Sequence, residues 1–318
     1  MQNKFSPSVN ILRDTGRSLD YVLTPNAERI TADISDSYRK GVHSFTIIGS
    51  YGTGKSSYLM ALDRTLQGEQ IIALDLGIKP KQVETLRIVG QYQSLIAYFH
   101  ELFDIEDDFE GNQKVFDHLH QLSRENDLLV IYLDEFGKFL EYASKFNPEK
   151  ELYFLQQLAE FANDHEKEIL LISTLHQNFE AYAANVAEDS QKKEWRKVKG
   201  RFKELTFNEP VEQLLFLAAN KLKGSKKKGV SRLELAKAKF ILPFDAKSLD
   251  EIDSKLAPLD IISAAVLTKA LQSYGQNERS LFTFLEEDIK NDDWVDVSKV
   301  YDYPGGPFQP QLKLYPSC

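Results

Sequence analysis

An α/β fold, a parallel five-stranded sheet flanked by helices and followed by a small helical lid domain, is the class that the sequence predicts. Three observations predict it. Short aliphatic and β-branched runs alternate with helical patterns. A glycine cluster ends the first run and a helical pattern starts just after it. Strand-like runs stop after Phe207, where helical periodicity takes over.

In order, the expected strands are "FTIIG" at 45–49, "QIIALDL" at 70–76, "DLLVIYLDE" at 127–135, "EILLIST" at 168–174 and the weaker "KELTF" at 203–207. Helical patterns occupy 55–66, 81–103, 113–125, 149–163 and roughly 177–197. Asn208 has the character of an N-cap and Pro210 fits a first helical turn, so the core is expected to span 1–208. A helical lid at 209–300 and a proline-rich, extended or disordered tail at 301–318 complete the expected organisation. The basic, glycine-flanked run "KGSKKKG" at 223–229 reads as a solvated loop within the lid.

Composition narrows the function classes. With 318 residues, 42% hydrophobic and 27% charged, the chain has the make-up of a globular protein of about two domains. Lys plus Arg number 39 against 48 Asp plus Glu, for a formal net charge of -9. Binding to nucleic acid or an anionic membrane would therefore need a local patch. The single cysteine is Cys318, and the opening "MQNKFSPS" has no apolar signal core, so the expected location is a reducing cytoplasm. No apolar run approaches the roughly 18 residues that span a bilayer.

The chemistry is concentrated in "FTIIGSYGTGKSSYLMAL" at 45–62. Gly49, Gly54, Lys55 and Ser56 fit G-x-x-x-x-G-K-[ST], with an additional glycine at Gly52, between an expected strand and an expected helix. Glycines let the backbone turn its N–H groups inward, and the lysine adds a mobile charge, which suits a polyphosphate. In this P-loop reading Gly49, Ser50, Tyr51, Gly52, Thr53, Gly54, Lys55, Ser56 and Ser57 bind ATP. Lys55 bridges the β- and γ-phosphates, Ser56 offers its hydroxyl to Mg2+, and the helix dipole adds favourable potential.

A second acidic element is needed to separate hydrolases from other P-loop proteins. "LLVIYLDEFGKF" ends an aliphatic strand in Asp134 and Glu135. Asp134 is the candidate Mg2+ partner through its water shell, and Glu135 the candidate base for an attacking water. "EILLISTLHQ" offers Thr174 and His176 as sensors of the γ-phosphate or the water. "KEWRKVKGRFKELTF" puts Arg196 and Arg201 before the last strand, where Arg201 is a candidate finger for a neighbouring subunit's nucleotide. The alternatives for these groups are a surface histidine and a basic, solvated helix end.

"GSYGTGKSS", "VIYLDEF", "LLISTLHQ", "GRF" and "GQNERSLFTFL" together give a chain that resembles the AAA+ ATPases over about residues 20 to 290. The likeness is to the origin-recognition-like and signal-transducing branches, and among these to ATPase modules of large bacterial antiviral defence proteins. It implies that Arg279 in the lid touches the γ-phosphate and that "TPNAERI" at 24–30 lies near adenine. It also implies a homo-oligomer with shared ATP sites, acting on a protein effector or within a larger complex. The sequence lacks a Ser-Gly-Gly-type signature before the acidic strand, further helicase motifs and an Asn-Lys-x-Asp guanine box. Three functions stay open: hydrolysis that drives assembly or partner remodelling, a slow nucleotide-controlled oligomerisation switch, and a DNA-associated ATPase.

Overall fold

The structure is a computed structural model that describes residues 9–17, 21–106, 108, 110–183, 189–207, 252–253, 255–257, 259–273 and 295–298. The chain divides into two compact units, one made of Val9–Ser50 with Lys55–Asn208. The other unites Met1–Ser8, Tyr51–Gly54 and Glu209–Cys318.

The first unit is a five-stranded parallel sheet in the order β2-β3-β4-β1-β5. Its strands are β1 (Ser44–Ile48), β2 (Val83–Val89), β3 (Leu128–Asp134), β4 (Ile169–Leu175) and β5 (Lys203–Thr206). The helices are α1 (Pro25–Tyr38), α2 (Lys55–Leu66), α3 (Leu95–Phe103), α4 (Gly111–Glu125), α5 (Gly137–Ala143), α6 (Pro148–Ala162), α7 (Phe179–Ala183) and α8 (Asp189–Lys199). No helix among the described residues is long and apolar enough to cross a membrane.

β3 and β4 are buried along their full length, as their nearly unbroken aliphatic sequences require of central parallel strands. Their side chains alternate between two cores with the period of two of a strand. Leu129, Ile131 and Leu133 join α3 to α8 on one face, whereas Leu128, Val130 and Tyr132 join α1 and α2 on the other. Because all pairings are parallel, with Val89 opposite Asp134 and Ile48 opposite both Leu175 and Thr206, the C-terminal ends of the strands share one edge. Residues that follow those ends are thereby gathered together.

The second strand departs from the expectation. Residues 70–76 form no strand: Ile72 and Leu76 are buried, but the Ile72 N–H donates to Thr65 Oγ1 (3.2 Å) and the Asp75 N–H to Ser35 Oγ (3.1 Å). Side chains thus satisfy backbone groups that a ladder would otherwise take. The strand is instead Val83–Val89, inside the segment expected to be the helix 81–103, which starts only at Leu95 with Ser94 as its N-cap. Leu86 and Ile88 pack on the α3–α8 face and Val83 and Val89 on the other, so the segment alternates as a strand does. Arg87 reaches α2 and donates to Asp63 twice (2.7 and 3.0 Å). The helix expected over 177–197 is also revised to α7 and α8, with Asn178 Oδ1 accepting from the Ala181 N–H at the first of them. The expected helices at 113–125 and 149–163 are α4 and α6, and α5 was not expected.

Described residues of the second unit include α9 (Ile261–Ser273) and a parallel bridge between Leu259 and Val295. Asp260 Oδ2 caps α9 by accepting from the Ile262 and Ser263 N–H groups (3.0 Å each). Asn208, Pro210, the 223–229 loop, Arg279, the 301–318 tail and most of the expected lid lie outside the described residues.

Tyr132 is 1% exposed in the middle of the sheet, and its hydroxyl has no hydrogen-bond partner among the described residues. A buried hydroxyl without a partner costs about 1–3 kcal/mol in lost hydration. Tyr132→Phe should therefore raise the stability of the protein, by about 1 kcal/mol in chemical denaturation. A clear loss would show that the hydroxyl is hydrogen-bonded.

Candidate functional site

The glycine-rich turn begins where β1 ends. The Gly49 N–H donates to the Leu175 carbonyl (3.1 Å), carrying the β1–β4 pairing one residue beyond the strand. Gly52 and Gly54 then adopt φ of +75° and +84°, a left-handed conformation that side chains oppose. Tyr51 is exposed, Thr53 is buried, and Ser50 is half-buried. Lys55 is the first residue of α2, with Ser56 and Ser57 in the same turn. The backbone N–H groups of this first turn have no intrahelical acceptor, which makes the turn electropositive.

Lys55 closes the turn on itself. Its ammonium donates to the carbonyls of Gly49 (2.6 Å) and Ser50 (2.8 Å). Burial lowers its pKa to about 8, and the charges of Asp134 and Glu135 work against that shift. The lysine is therefore within electrostatic reach of both carboxylates at the end of β3.

Asp134, the last residue of β3, is 3% exposed. Its Oδ1 accepts from the Thr174 hydroxyl (2.7 Å) and from the Glu135 N–H (3.1 Å). That N–H is also directed at Thr174 Oγ1 (3.0 Å), and the Phe136 N–H donates to the Thr174 carbonyl (3.0 Å). Thr174, singled out in the sequence as a sensor, has its hydroxyl engaged in orienting Asp134. Glu135 is exposed and has φ of +51°, an uncommon conformation for a residue with a side chain.

Gly90, just beyond β2, is a functional position that the sequence reading missed. Its N–H donates to the Asp134 carbonyl (2.7 Å), and a Cβ at this position would lie 2.0 Å from the Glu135 carbonyl oxygen. Only glycine allows β2 to approach the turn so closely. The glycine ending the aliphatic run "LRIVG" was the signal available.

His176 follows β4, and its Nδ1 pairs with the Tyr182 hydroxyl (2.9 Å). Burial lowers its pKa, with Lys55 and Lys138 adding to the shift and Glu141 opposing it, so the ring is neutral at pH 7. Tyr182, a second residue that the sequence reading missed, packs its hydroxyl where a Cβ on Gly137 would stand, at 2.2 Å. His176 and its neighbours thus brace the turn that follows Glu135.

Arg201 does not join this group within its own chain. It precedes β5, and its carbonyl accepts from Ser44 Oγ (2.6 Å) at the start of β1, about 16 Å from Gly49 at the 3.3 Å rise of a parallel strand. Its guanidinium donates to Glu160 through Nε (2.9 Å) and Nη2, and through Nη1 to the Lys197 carbonyl (3.0 Å).

Among the described residues no group of three or more His, Cys, Asp or Glu side chains could cage a metal. Ser56 Oγ and the second oxygen of Asp134 suit Mg2+, which keeps several waters and takes further ligands from phosphates. Such a donor set fits an ion that arrives with a nucleotide.

No family model matches the sequence, and no curated protein matches it. Among solved structures, the chain is similar to the ORC2 protein of Aeropyrum pernix in its ADPNP and ADP complexes, at 13% identity and a TM-score of 0.43, over 87% of this chain and 72% of that one. It is similar to AMPPCP-bound DnaA of Aquifex aeolicus at 16% identity and 0.40, over 90% and 77%. A Walker-type ATPase of Pyrococcus abyssi is similar at 14% identity and 0.40, over 84% and 72%. The site stands on this chain's own geometry.

Two outcomes follow from that geometry. Gly90→Ala should destabilise the protein by about 2 kcal/mol, a typical result of forcing an extra carbon into a packed position. Unchanged denaturation midpoints would show that the Asp134–Glu135 turn yields freely. A polyphosphate at Lys55 would favour the ammonium and raise its pKa above the value of about 8 in the free protein. Binding should then take up a proton above pH 8, so affinity is flat below that pH and falls above it by up to about tenfold per unit. Calorimetry in buffers of different ionisation enthalpy reads the uptake directly, and pH-independent affinity up to pH 10 would contradict it.

Proposed function

We propose that this chain is an AAA+-like P-loop ATPase that binds Mg-ATP and hydrolyses it to drive oligomer assembly or the remodelling of a partner. The observation that carries this reading is the pairing of two edges: Lys55, buried at the head of α2 and bonded to the Gly49 and Ser50 carbonyls, lies within electrostatic reach of Asp134 and Glu135. On this reading the ammonium exchanges its two carbonyl partners for the β- and γ-phosphates, while the amides of residues 52–57 surround the β-phosphate. Ser56 and, through a water shell, Asp134 would hold Mg2+, which when bound would neutralise the charge developing on the phosphate oxygens.

Glu135 takes the proton of the attacking water, and Thr174 keeps Asp134 aimed. The exposure of Glu135 and its left-handed backbone support its role as base, since strain of this kind collects where a side chain must be presented. His176, held neutral, is a sensor on the same edge. Arg201 acts in trans on a neighbouring copy, exchanging Glu160 for phosphate, and a γ-phosphate contact by Arg279 rests on the sequence resemblance. A protein effector, a nucleic-acid partner and a role in antiviral defence rest on the sequence resemblance alone.

Lys55→Ala should abolish Mg-ATP binding in calorimetry. Glu135→Gln should retain binding and lose hydrolysis by about 10²–10⁴-fold, because an amide keeps the shape of the side chain but cannot accept the proton. Wild-type affinity in the first variant would overturn the P-loop reading, and normal turnover in the second would move the base elsewhere.

A further inference from the structure

The sheet has two outer strands, and the sequence protects only one of them. β5 is four residues long, carries Lys203 and Glu204, and has its Thr206 carbonyl taken by Arg29 (3.0 Å). Short, charged and covered edges of this kind resist pairing with another chain. β2 is seven residues long and contains no proline, glycine or lysine.

The ladder decides which groups of β2 face outward. The Leu128 N–H donates to the Gln82 carbonyl (3.3 Å) and the Gly90 N–H to the Asp134 carbonyl (2.7 Å), so the even-numbered residues between them bond to β3. Val83, Thr85, Arg87 and Val89 therefore turn their backbone N–H and C=O groups away from the sheet. These backbone groups have no hydrogen-bond partner among the described residues, and all four residues are half-exposed.

An open edge can pair with any extended chain, but the side chains of β2 suit β2 itself. In an antiparallel pair about a two-fold axis at Leu86, Val83 lies opposite Val89 of the second copy and Thr85 opposite Arg87. All four outward residues then exchange both of their hydrogen bonds. Leu86 meets Leu86 at the axis and Glu84 lies opposite Ile88, so no like charges face each other. Sliding one copy by two residues in one direction sets Arg87 against Arg87, which is unfavourable. Sliding it the other way sets Val89 against Lys81, whose N–H is already held by Asp127 Oδ2 (2.8 Å). Val83, Leu86 and Val89 are only partly buried in the single copy, and the pairing covers them further.

We propose that β2 pairs with β2 of a second copy of this chain, joining two sheets into one across a two-fold axis. The interface lies at the opposite end of the sheet from β5, which Arg201 precedes. It therefore requires neither nucleotide nor Arg201, and it stands apart from the hydrolysis reading.

The test measures the oligomeric state of the full chain by sedimentation without nucleotide. A dimer is expected, and Arg201→Ala should leave it intact. A chain that stays monomeric at high micromolar concentration overturns the proposal and leaves the edge to a strand of another protein. Thr85→Lys sets a lysine against Arg87 on both sides of the axis and should weaken the dimer by about tenfold. Thr85→Glu disturbs the same side chain but brings the opposite charge, and should leave the dimer no weaker than the wild type. Equal weakening by the two overturns the proposal. With Cys318→Ser removing the only cysteine, Leu86→Cys should crosslink the dimer under mild oxidation, because opposed Cα atoms of a non-hydrogen-bonded pair stand about 4.5 Å apart. Glu84→Cys, on the same face but about 14 Å from its symmetry mate, should not crosslink. Thermal melts confirm that each variant is folded. A dimer in which both cysteines crosslink equally, or neither does, is paired elsewhere, which overturns the proposal.

Discussion

Asp134 Oδ1 accepts hydrogen bonds from the Thr174 hydroxyl and the Glu135 N–H, and the geometry of the whole C-terminal edge of the sheet hangs on that atom. It fastens the end of β3 to the end of β4, which in turn pairs with β1 and holds Gly49 through the Leu175 carbonyl. The turn at Glu135 is closed from the other side by Gly90 and from below by Phe136, whose N–H is held by the Thr174 carbonyl. Few torsions remain for Glu135 apart from those of its own side chain. A side chain that must meet a ligand is best held in this way, because misplacement by an ångström is costly.

The cation at this edge is held in the opposite manner. Lys55 has a long, rotatable side chain whose ammonium rests on two carbonyls of its own turn, in a site that burial makes unfavourable for charge. Carbonyl dipoles are weak partners compared with phosphate oxygens. A rigid acidic half thus faces an adaptable basic half, and a ligand rich in negative charge would displace the weaker contacts without disturbing the carboxylate lattice.

How far the sequence could be read follows from where each element takes its partners. α2 lies where its pattern put it, and β1 and β3 differ from the expected runs by a residue at their ends, because their signals are local: apolar runs bounded by glycine or by acids. β2 was misplaced because "VETLRIV" carries three charged or polar residues that suit a helix surface as well as an edge strand. What makes it a strand is tertiary: pairing with β3, and the reach of Arg87 to Asp63 on α2. Asp134, Glu135 and Lys55 were legible from motif and position. The engagement of Thr174 with Asp134, the close approach at Gly90 and the bracing by Tyr182 were not, since each joins residues far apart in the chain and leaves no periodic trace.

The strand order has a bearing on how the protein is made. β1 leaves the ribosome first among the strands, yet its partners are β4 and β5, with Ser44 opposite Leu171 and Phe45 opposite Lys203. A parallel strand with such distant partners waits until their loops can close, which makes its docking late and slow. β2 and β3, neighbours in sequence and in space, are free to pair earlier. In a growing chain the glycine turn after β1 would accordingly stay open until residues up to Thr206 have emerged. The edge that carries Lys55 and Asp134 is then among the last parts of the unit to assemble, and a nascent chain would lack the paired arrangement of these groups before its sheet is complete.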